Sequence, residues 1–330
     1  MLGNEKKEEF VKRICDATDL SRSTVYRFFA NQHIKESSKN KIIQAMKEID
    51  QSAESGNDYS GFEIVVSVSA KTFDLFEGFN NVFTGIIDQA DKYNIPVRFE
   101  KSYKPQWKEK RGVIIIGKDN QELEDDCRTL KELGIPFLLV NRILDDPEIS
   151  YVSVAVQQAA FDITCHLINR GYTRIAFWGE QNSLVSRQKF NGYKEALESR
   201  GIPFDPSIVE TDPANHSLDE TFSRLMSMKD RPDAFFSMDD ATAIRLTRLA
   251  FEQGISVPYE LGISGMNDLS SAHNVIPSIS SVKIDFYTIG HEAVSSLIKL
   301  MRNDSIKAIK LVTNYKLMIR DSTKGKGKSE

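Results

Sequence analysis

The sequence predicts a small all-α head followed by a larger α/β region. Within the first fifty residues, apolar side chains recur at the spacing of short amphipathic helices. From Phe62 onward, short apolar runs alternate with amphipathic stretches, and strands that are apolar throughout are typical of parallel sheets covered by helices on both faces. About ten such runs divide better between two sheets than one. The length of 330 residues suits two or three domains.

Three candidate helices make up the head. The second is "LSRSTVYRFF", residues 20–29, with Ser21 as its N-cap, and the third is "KNKIIQAMKEID", capped by Ser37 or Ser38. A tight turn joins the first helix to the second, so the three helices form a helix-turn-helix unit. The residues expected to face the core of the head are Phe10, Val11, Ile14, Cys15 and Ala17 in the first helix, Leu20, Val25, Phe28 and Phe29 in the second, and Ile42, Ile43, Met46 and Ile49 in the third.

The α/β region contains strand and helix candidates in alternation. We expect strands at "EIVVSVS", "IPVRFE", "GVIIIG", "PFLLVN", "YVSVAV", "RIAFWG", "PSIVET", "DAFFSM", "LGISGM", "SISSVKI" and "IKLVTNYKLMIR". Amphipathic stretches between them predict helices over residues 79–94, 120–133, 157–170, 186–200, 217–229, 240–254 and 286–302. Strands that alternate with helices in this way indicate a doubly wound architecture.

Basic residues are concentrated in the head. From Ser21 to Lys47 there are six basic residues and one acid, so this segment carries a net charge of +5 and the rest of the chain −9. A basic patch on an otherwise acidic chain indicates an anionic partner at that place, although a solvated charged face would have the same composition.

The polar side of the second helix is suited to DNA. In a helix-turn-helix unit this helix enters the major groove, where arginine can pair with guanine and short polar residues can reach base edges or phosphates. The predicted DNA-binding residues are Arg22, Ser23 and Arg27 for base edges, Ser21 and Thr24 for phosphates, and Lys39 and Lys41 of the third helix for the DNA backbone. The alternative is a three-helix bundle used for protein contacts.

Other function classes receive little support from the sequence. No apolar run is long enough for a membrane span, and the charged N-terminus lacks a signal core, so we expect a cytoplasmic protein without membrane contact. The cysteines, Cys15, Cys127 and Cys165, are too dispersed for a zinc site or disulfide framework. No nucleophile elbow, metalloprotease motif or phosphate-binding loop is present in the required setting, so we expect no enzyme, metal or cofactor. His166 is interpreted as a packed helix residue.

The head resembles the DNA-binding head of the LacI/GalR family of bacterial repressors. "ICDATDLSRSTVYRFFAN" matches the family pattern "VA..AGVS..TVSR.(L)N", and the third helix matches "T(R)..V..A...L". Cys15, Asp19 and Tyr26 depart from it, standing where Ala, Gly and Ser are usual. The family continues with "Y.PN..AR.L", a hinge that places a leucine in the minor groove. Residues 51–61 read "QSAESGNDYSG", which predicts a flexible linker, and no minor-groove residue is assigned.

The α/β region resembles the family's sensor domain over nearly its whole length. "LGIPFLLVNR", "HLINRGYTRIAFWGE", "FNGYKEALESRGI", "PDAFFSMDD", "LGISGMND" and "IRDST" match family segments in order. The implied fold is a periplasmic-binding-protein-like sensor of two subdomains with a ligand cleft between them. The expected division is a head over 1–50, the linker, subdomain one over about 62–156 and 286–313, subdomain two over about 157–283 and 314–322, and a disordered tail over 324–330.

The cleft is expected where the carboxyl ends of the strands meet. This places residues 140–142, 179–189, 237–240 and 266–268 near it, and the resemblance implies that Lys189 takes the position of a ligand-binding arginine and Asn267 that of an acid. The candidate effector-binding residues are Phe73, Phe79, Arg187, Lys189, Asp239 and Asn267. The alternatives are that Lys189 is a surface lysine, that the phenylalanines belong to the core, and that Asp239 and Asp240 are candidate helix caps.

The resemblance implies a transcription regulator, in particular a repressor of carbohydrate-related genes that acts as a homodimer on double-stranded operator DNA. The effector would be a sugar or sugar derivative, with Arg187, Lys189 and Asn267 favouring an anionic one. Two alternatives stay open at this point. One is a DNA-binding regulator whose pocket no longer responds to an effector, and the other is a cytoplasmic sugar-binding protein whose head mediates protein contacts.

Overall fold

The computed structural model describes residues 4–29, 34–54, 59–68, 77–101, 111–117, 120–303 and 305–325. The chain separates into two compact units, Met1–Ser60 and Gly61–Glu330. In chain order the elements are α1 Asn4–Thr18, α2 Arg22–Phe29, α3 Glu36–Glu54, β1 Glu63–Val68, α4 Glu77–Lys92, β2 Val97–Glu100, β3 Arg111–Ile116, α5 Asn120–Glu132, β4 Phe137–Val140, β5 Ser150–Val154, α6 Val156–Asn169, β6 Ile175–Trp178, α7 Leu184–Ser199, β7 Val209–Glu210, α8 Leu218–Met226, β8 Ala234–Ser237, α9 Asp240–Glu252, β9 Gly262–Ser264, α10 Ser270–His273, β10 Ser281–Ile284, α11 Phe286–Arg302, β11 Lys310–Thr313 and β12 Tyr315–Met318.

The head is a three-helix unit around a small apolar core. One buried side chain of α2, Val25, packs in the cluster formed by Val11, Ile14, Ile42 and Ala45 of the two flanking helices. The turn after α1 places Asp19 at φ 57°, a left-handed conformation that aspartate tolerates better than most residues. Ser21 caps α2 as predicted, because its Oγ accepts a hydrogen bond from the backbone N–H of Thr24 at 3.3 Å.

Several predictions about the ends and faces of these helices are wrong. The helix α3 begins at Glu36, so Ser37 and Ser38 lie inside its first turn, where neither can cap it. It ends at Glu54, four residues into the segment predicted as a linker. Ala17, Phe29 and Ile43 are exposed although we expected them in the core, since their angular positions fall at the edges of the apolar stripes. The side chains of Phe10 and Ile49 lie outside the described residues.

The second unit contains two parallel sheets. The six strands of the first sheet follow the order β11-β5-β4-β3-β1-β2, and the four strands of the second follow β7-β6-β8-β9. All pairings within these two sheets are parallel. The predicted fold class, a helical head with a doubly wound sensor of two subdomains, is therefore confirmed. The strand expected at "PSIVET" is shorter than predicted, since residues 206–208 form a 3₁₀ turn, and α10 was not predicted.

The chain passes between the two sheets three times. It does so between β5 and α6, between β10 and α11, and between β11 and β12. The two strands at the second and third crossings, β10 and β12, pair with each other in an antiparallel ribbon in which Ile284 lies opposite Tyr315. The first two crossings leave the carboxyl ends of β5 and β10, and ligands bind at the carboxyl ends of strands in open α/β sheets.

Polar residues in the segments that match the family patterns bind the backbone at the start of the second sheet. The Asp233 carboxylate accepts two backbone hydrogen bonds of 2.9 Å, one from the N–H of Thr173 to Oδ2 and one from the N–H of Arg174 to Oδ1. Ser322, near the C-terminus, donates to the carbonyl oxygen of Ile263 at 2.6 Å and accepts from the N–H of Ser280 at 2.8 Å. These segments therefore have a structural role in joining strand ends.

Candidate nucleic-acid interface and ligand cleft

The outward side of α2 carries polar and basic side chains. Val25 is buried, whereas Ser21, Arg22, Ser23 and Arg27 are exposed. The hydroxyl of Ser21 lies 2.9 Å from that of Ser23 and 2.9 Å from that of half-buried Thr24, so the three hydroxyl groups form a cluster at the amino end of the helix. This surface can offer guanidinium forks to guanine and hydroxyl groups to phosphates.

Tyr26 and Phe29 share this surface and were not among the predicted contacts. Their side chains are 39% and 40% exposed, and Tyr26 lies one helical turn after Arg22. Helical spacing from Arg22 would have identified Tyr26, because residues four apart lie on the same side of a helix. Its phenol adds an apolar face and a hydroxyl at the centre of the candidate interface.

Two lysines of α3 complete the basic surface predicted for the head. Lys39 and Lys41 are both exposed. The Lys39 ammonium lies 3.5 Å from the Glu36 carboxylate, a solvent-exposed ion pair that is weak enough to be exchanged for a phosphate.

The structure places the predicted effector residues that it describes in different parts of the second unit. Phe73 is not described. Phe79, on α4, stacks on Phe83 with a centroid separation of 6.3 Å. Arg187 is exposed, and its Nη1 donates to the carbonyl oxygen of Gln181 at 3.3 Å. Lys189 lies at the carboxyl end of a strand, where the cleft is expected.

Lys189 projects from α7 towards the carboxyl end of β8. Its Nζ donates to the carbonyl oxygen of Met238 at 3.1 Å, so it is not a free surface lysine. Burial lowers the pKa of Lys189, the charge of Arg142 lowers it further, and the carboxylates of Asp239 and Asp240 oppose this change. The half-buried side chain therefore places its ammonium group at the strand ends with reduced access to solvent.

The N-cap of α9 is Asp239, which corrects the alternative that Asp240 caps this helix. The Asp239 carboxylate accepts the backbone N–H of Thr242 at 2.8 Å and its hydroxyl at 2.9 Å. Asp240 is instead fully buried, where it accepts from the Ser281 hydroxyl at 2.6 Å and the Leu269 N–H at 2.8 Å.

Asn267 begins a tight turn after β9. It is buried and adopts φ 109°, and its N–H donates to the carbonyl oxygen of Val282 at 2.9 Å. The next residue, Asp268, forms an ion pair with Arg320 at 2.6 Å and lies 3.1 Å from the ring of His273. Asp268, the one acid of the "GMND" segment, therefore has a structural role.

The sequence placed Arg142 near the cleft without selecting it as a binding residue. It follows β4 of the first sheet, and its Nη1 donates to the carbonyl oxygen of Asn141 at 3.3 Å. Its Nε is buried without a hydrogen-bond partner, and so is the side-chain oxygen of Asn141, a residue with φ 52°. Burial lowers the pKa of Arg142, and the Glu180 carboxylate opposes this change.

Other polar groups of the second unit are structural. The ring Nε2 of His166 lies 2.8 Å from the Thr323 hydroxyl, and burial together with the charge of Arg170 lowers the pKa of His166 to about 4. Among the described ranges, no group of three or more histidine, cysteine or acidic side chains is arranged to hold a metal ion. No helix among the residues that the structure describes has the length and apolar character to cross a membrane.

Comparison with known proteins agrees with this architecture. Residues 164–323 match the periplasmic binding protein-like domain. The chain is 29% identical over 252 residues to catabolite control protein A of Priestia megaterium, covering 73% of this chain and 76% of that protein. It is 24% identical over 338 residues to the probable HTH-type transcriptional repressor ExuR of Bacillus subtilis (strain 168), covering 95% and 98%. A solved CelR–cellobiose complex superposes with a TM-score of 0.70 at 20% identity, over 94% of this chain and 99% of that chain.

A helix-turn-helix head followed by a periplasmic-binding-protein-like domain defines a class of ligand-responsive transcription regulators. The matches to relatives of this class extend over 95% of the chain. Over most of its length the chain is similar to bacterial transcription regulators of the LacI family.

Proposed function

We propose that this protein is a cytoplasmic repressor of carbohydrate-related genes, which binds operator DNA as a homodimer and responds to a sugar-derived effector in its cleft. The observation that carries the proposal is the side of α2 on which Arg22, Ser23 and Arg27 are exposed while Val25 anchors the helix in the head. One head supplies few phosphate contacts, so two heads on two half-sites would give the affinity that a regulator needs.

The relatives support the same reading. One of them is named a probable transcriptional repressor, and another structure of this fold contains cellobiose. By analogy, an effector would bind between the subdomains of this chain and change their relative position. A coupling free energy of about 1–3 kcal/mol between effector and DNA would be typical of such regulators.

The DNA interface is tested by selecting sequences from a random duplex pool with the full chain. We expect a consensus of two related half-sites. Arg22→Ala should weaken binding to that consensus by about 1–3 kcal/mol and relax the base preference at one position of each half-site. Arg27→Ala should do the same at a different position. The measurement is a competition titration against every single-base variant of the consensus.

Arg22→Lys is the matched control, since lysine keeps the charge but cannot form the bidentate fork. It should retain most of the salt dependence of binding and lose most of the base preference. If the wild-type protein binds random duplex as tightly as any selected sequence, sequence-specific recognition by α2 is excluded.

A further inference from the structure

We propose that the cleft binds an anionic sugar derivative whose acidic group lies between Arg142 and Lys189. The inference rests on the proposed function in one respect, namely that the cleft is an effector site. It adds the chemical class of the effector and a binding residue, Arg142, that the sequence alone did not identify.

The two cations come from different subdomains. Arg142 follows β4 of the first sheet, whereas Lys189 lies on α7 and contacts the end of β8 in the second sheet. They are close enough for the charge of Arg142 to lower the pKa of Lys189. Glu180, at the end of β6, acts electrostatically on both residues. Each side chain therefore lies at the carboxyl end of a strand, one in each sheet, where ligands bind in open α/β sheets.

Neither cation has a carboxylate partner among the residues that the structure describes. Lys189 donates to a backbone carbonyl, and Arg142 makes one long hydrogen bond to its neighbour's carbonyl while its Nε has no acceptor. A buried donor without an acceptor destabilises the folded state unless something else satisfies it. An acceptor with negative charge would satisfy both groups at once.

The nearby carboxylates are engaged elsewhere. Asp239 caps α9, and Asp240 is bound by Ser281 and the Leu269 N–H. Glu180 is exposed and accepts a hydrogen bond from the Asn182 side chain at 2.7 Å. These carboxylates moderate the positive potential without pairing with either cation, so a ligand anion would supply the missing acceptor.

Asn141 indicates that the ligand also carries a hydroxyl group. Its side-chain oxygen is buried without a donor, one residue before Arg142. A sugar hydroxyl can donate to this oxygen while a carboxylate or phosphate on the same molecule accepts from the cations. The combination of one acceptor with two cationic donors suits a sugar acid or a sugar phosphate better than a neutral sugar.

A first test uses the ligand-free protein. If Arg142 and Lys189 are kept for a ligand, then Arg142→Met and Lys189→Met remove an uncompensated buried charge and should raise the melting temperature by about 2–4 °C. Lys194→Met, on the same helix as Lys189, is the control and should change the melting temperature by less than either. A melting temperature lowered by both cleft variants would assign the two cations to the fold and overturn the proposal.

A second test compares matched ligands by calorimetry with the full wild-type chain. Glucose 6-phosphate and glucuronate provide the two kinds of acidic group, and glucose is the neutral counterpart. We expect at least one class of acid to bind at least about 10-fold more tightly than the neutral sugar, since hydrogen bonds to charged groups are stronger than those between neutral groups. The same comparison is then made with the phosphates, acids and neutral forms of other sugars, so that the result does not depend on one sugar ring.

The variants then locate the acidic group. Arg142→Met and Lys189→Met should each weaken binding of the acid by at least about 10-fold, and Lys194→Met should leave it unchanged. If neutral sugars bind as tightly as the acids, or if no acid of either class binds, the anionic class is excluded. Operator binding measured in the same preparations would still report on the proposed function, so the two failures can be distinguished.

Discussion

Asp240 is a carboxyl group in a fully buried position at the junction of β8, α9 and β10. Its oxygens accept hydrogen bonds from Ser281 and from the Leu269 N–H. Gly265 makes room for it, because a Cβ at that position would meet the Asp240 carboxylate. Burial nevertheless raises its pKa from 3.8 to about 6, and the charges of Asp268 and Asp239 add to this effect.

This raised pKa predicts a pH dependence of stability. The folded state binds the proton of Asp240 more tightly than the unfolded state, so the contribution to stability is present below pH 3.8 and is lost as the pH rises towards about 6. Asp240→Asn keeps the shape of the side chain without the charge. We expect it to increase the free energy of unfolding, and to do so by about 1–2 kcal/mol more at pH 7.5 than at pH 5.

Urea unfolding at the two pH values measures this difference. His166 titrates with the opposite sign, since its lowered pKa of about 4 makes stability decrease on acidification below pH 6.5. Comparing the variant with wild type at each pH removes the contribution of His166, which is common to both proteins. An effect of Asp240→Asn that is equal at both pH values would show that Asp240 does not titrate in this range.

For single residues, the sequence predicts which side chains belong to the site better than it predicts what those side chains contact. Lys189 was recognised because the resemblance marks its position, and its contact with the Met238 carbonyl agrees with a place in the cleft. Arg142 was not selected, because its buried Nε depends on how two separate sheets meet. The helix cap was uncertain between Asp239 and Asp240, since both types cap helices and only the backbone conformation distinguishes them.

Two helices of the first subdomain, α4 and α11, pack closely enough for their backbones to touch. A Cβ on Gly85 would meet the Tyr287 carbonyl oxygen, and a Cβ on Gly290 would meet the Val82 carbonyl oxygen. The same helices are joined by a hydrogen bond of 2.8 Å from Gln89 Nε2 to the hydroxyl of Ser295. The glycines therefore set the distance between the helices.

Gly290→Ala tests this contact, because helix propensity and the backbone clash change the free energy of unfolding in opposite directions. Helix propensity alone would make the alanine variant about 1 kcal/mol more stable. The clash with a rigid backbone carbonyl acts in the opposite direction, and overpacking of this kind costs about 1–3 kcal/mol. We expect a net loss in the free energy of unfolding measured in urea. Lys299→Ala, at an exposed position of the same helix, should change stability by less than about 0.5 kcal/mol, and stabilisation by Gly290→Ala would contradict the packing argument.

The elements that the sequence predicted well are the ones buried on both faces. β3 and β8 are almost entirely buried, and an apolar run is a sufficient signal for such strands. The apolar pattern does not predict elements that are very short, or helix ends that depend on tertiary contacts. β7 has two residues and α10 has four, and α3 continues to Glu54 through a polar segment that resembles a linker in composition.

At the scale of the whole molecule, the proposed homodimer requires a surface on which two copies can meet. Phe251 and Ile276 are 83% and 96% exposed, the largest values among the apolar side chains that the structure describes as exposed. Phe251 lies in the last turn of α9, and Ile276 lies three residues after α10. Their chain neighbours, Ala250 and Val275, pack in the same core cluster of the second subdomain. Exposed apolar groups of this size are typical of protein interfaces.

Phe251→Asp and Ile276→Asp should therefore separate the dimer without unfolding the subunit. We expect a sedimentation mass near the 37.4 kDa of one chain where the wild type gives twice that value. Because the second head then binds from solution rather than from a tethered position, affinity for a two-half-site operator should fall by about 10²-fold or more, while affinity for a single half-site stays the same. Leu133→Asp, at an exposed apolar residue of the first subdomain, should leave both mass and affinity unchanged. Variants that remain dimeric would show that the interface lies elsewhere on the surface. A wild-type protein that sediments as one chain would contradict the homodimer. In that case, only the recognition of single half-sites by α2 would still be supported.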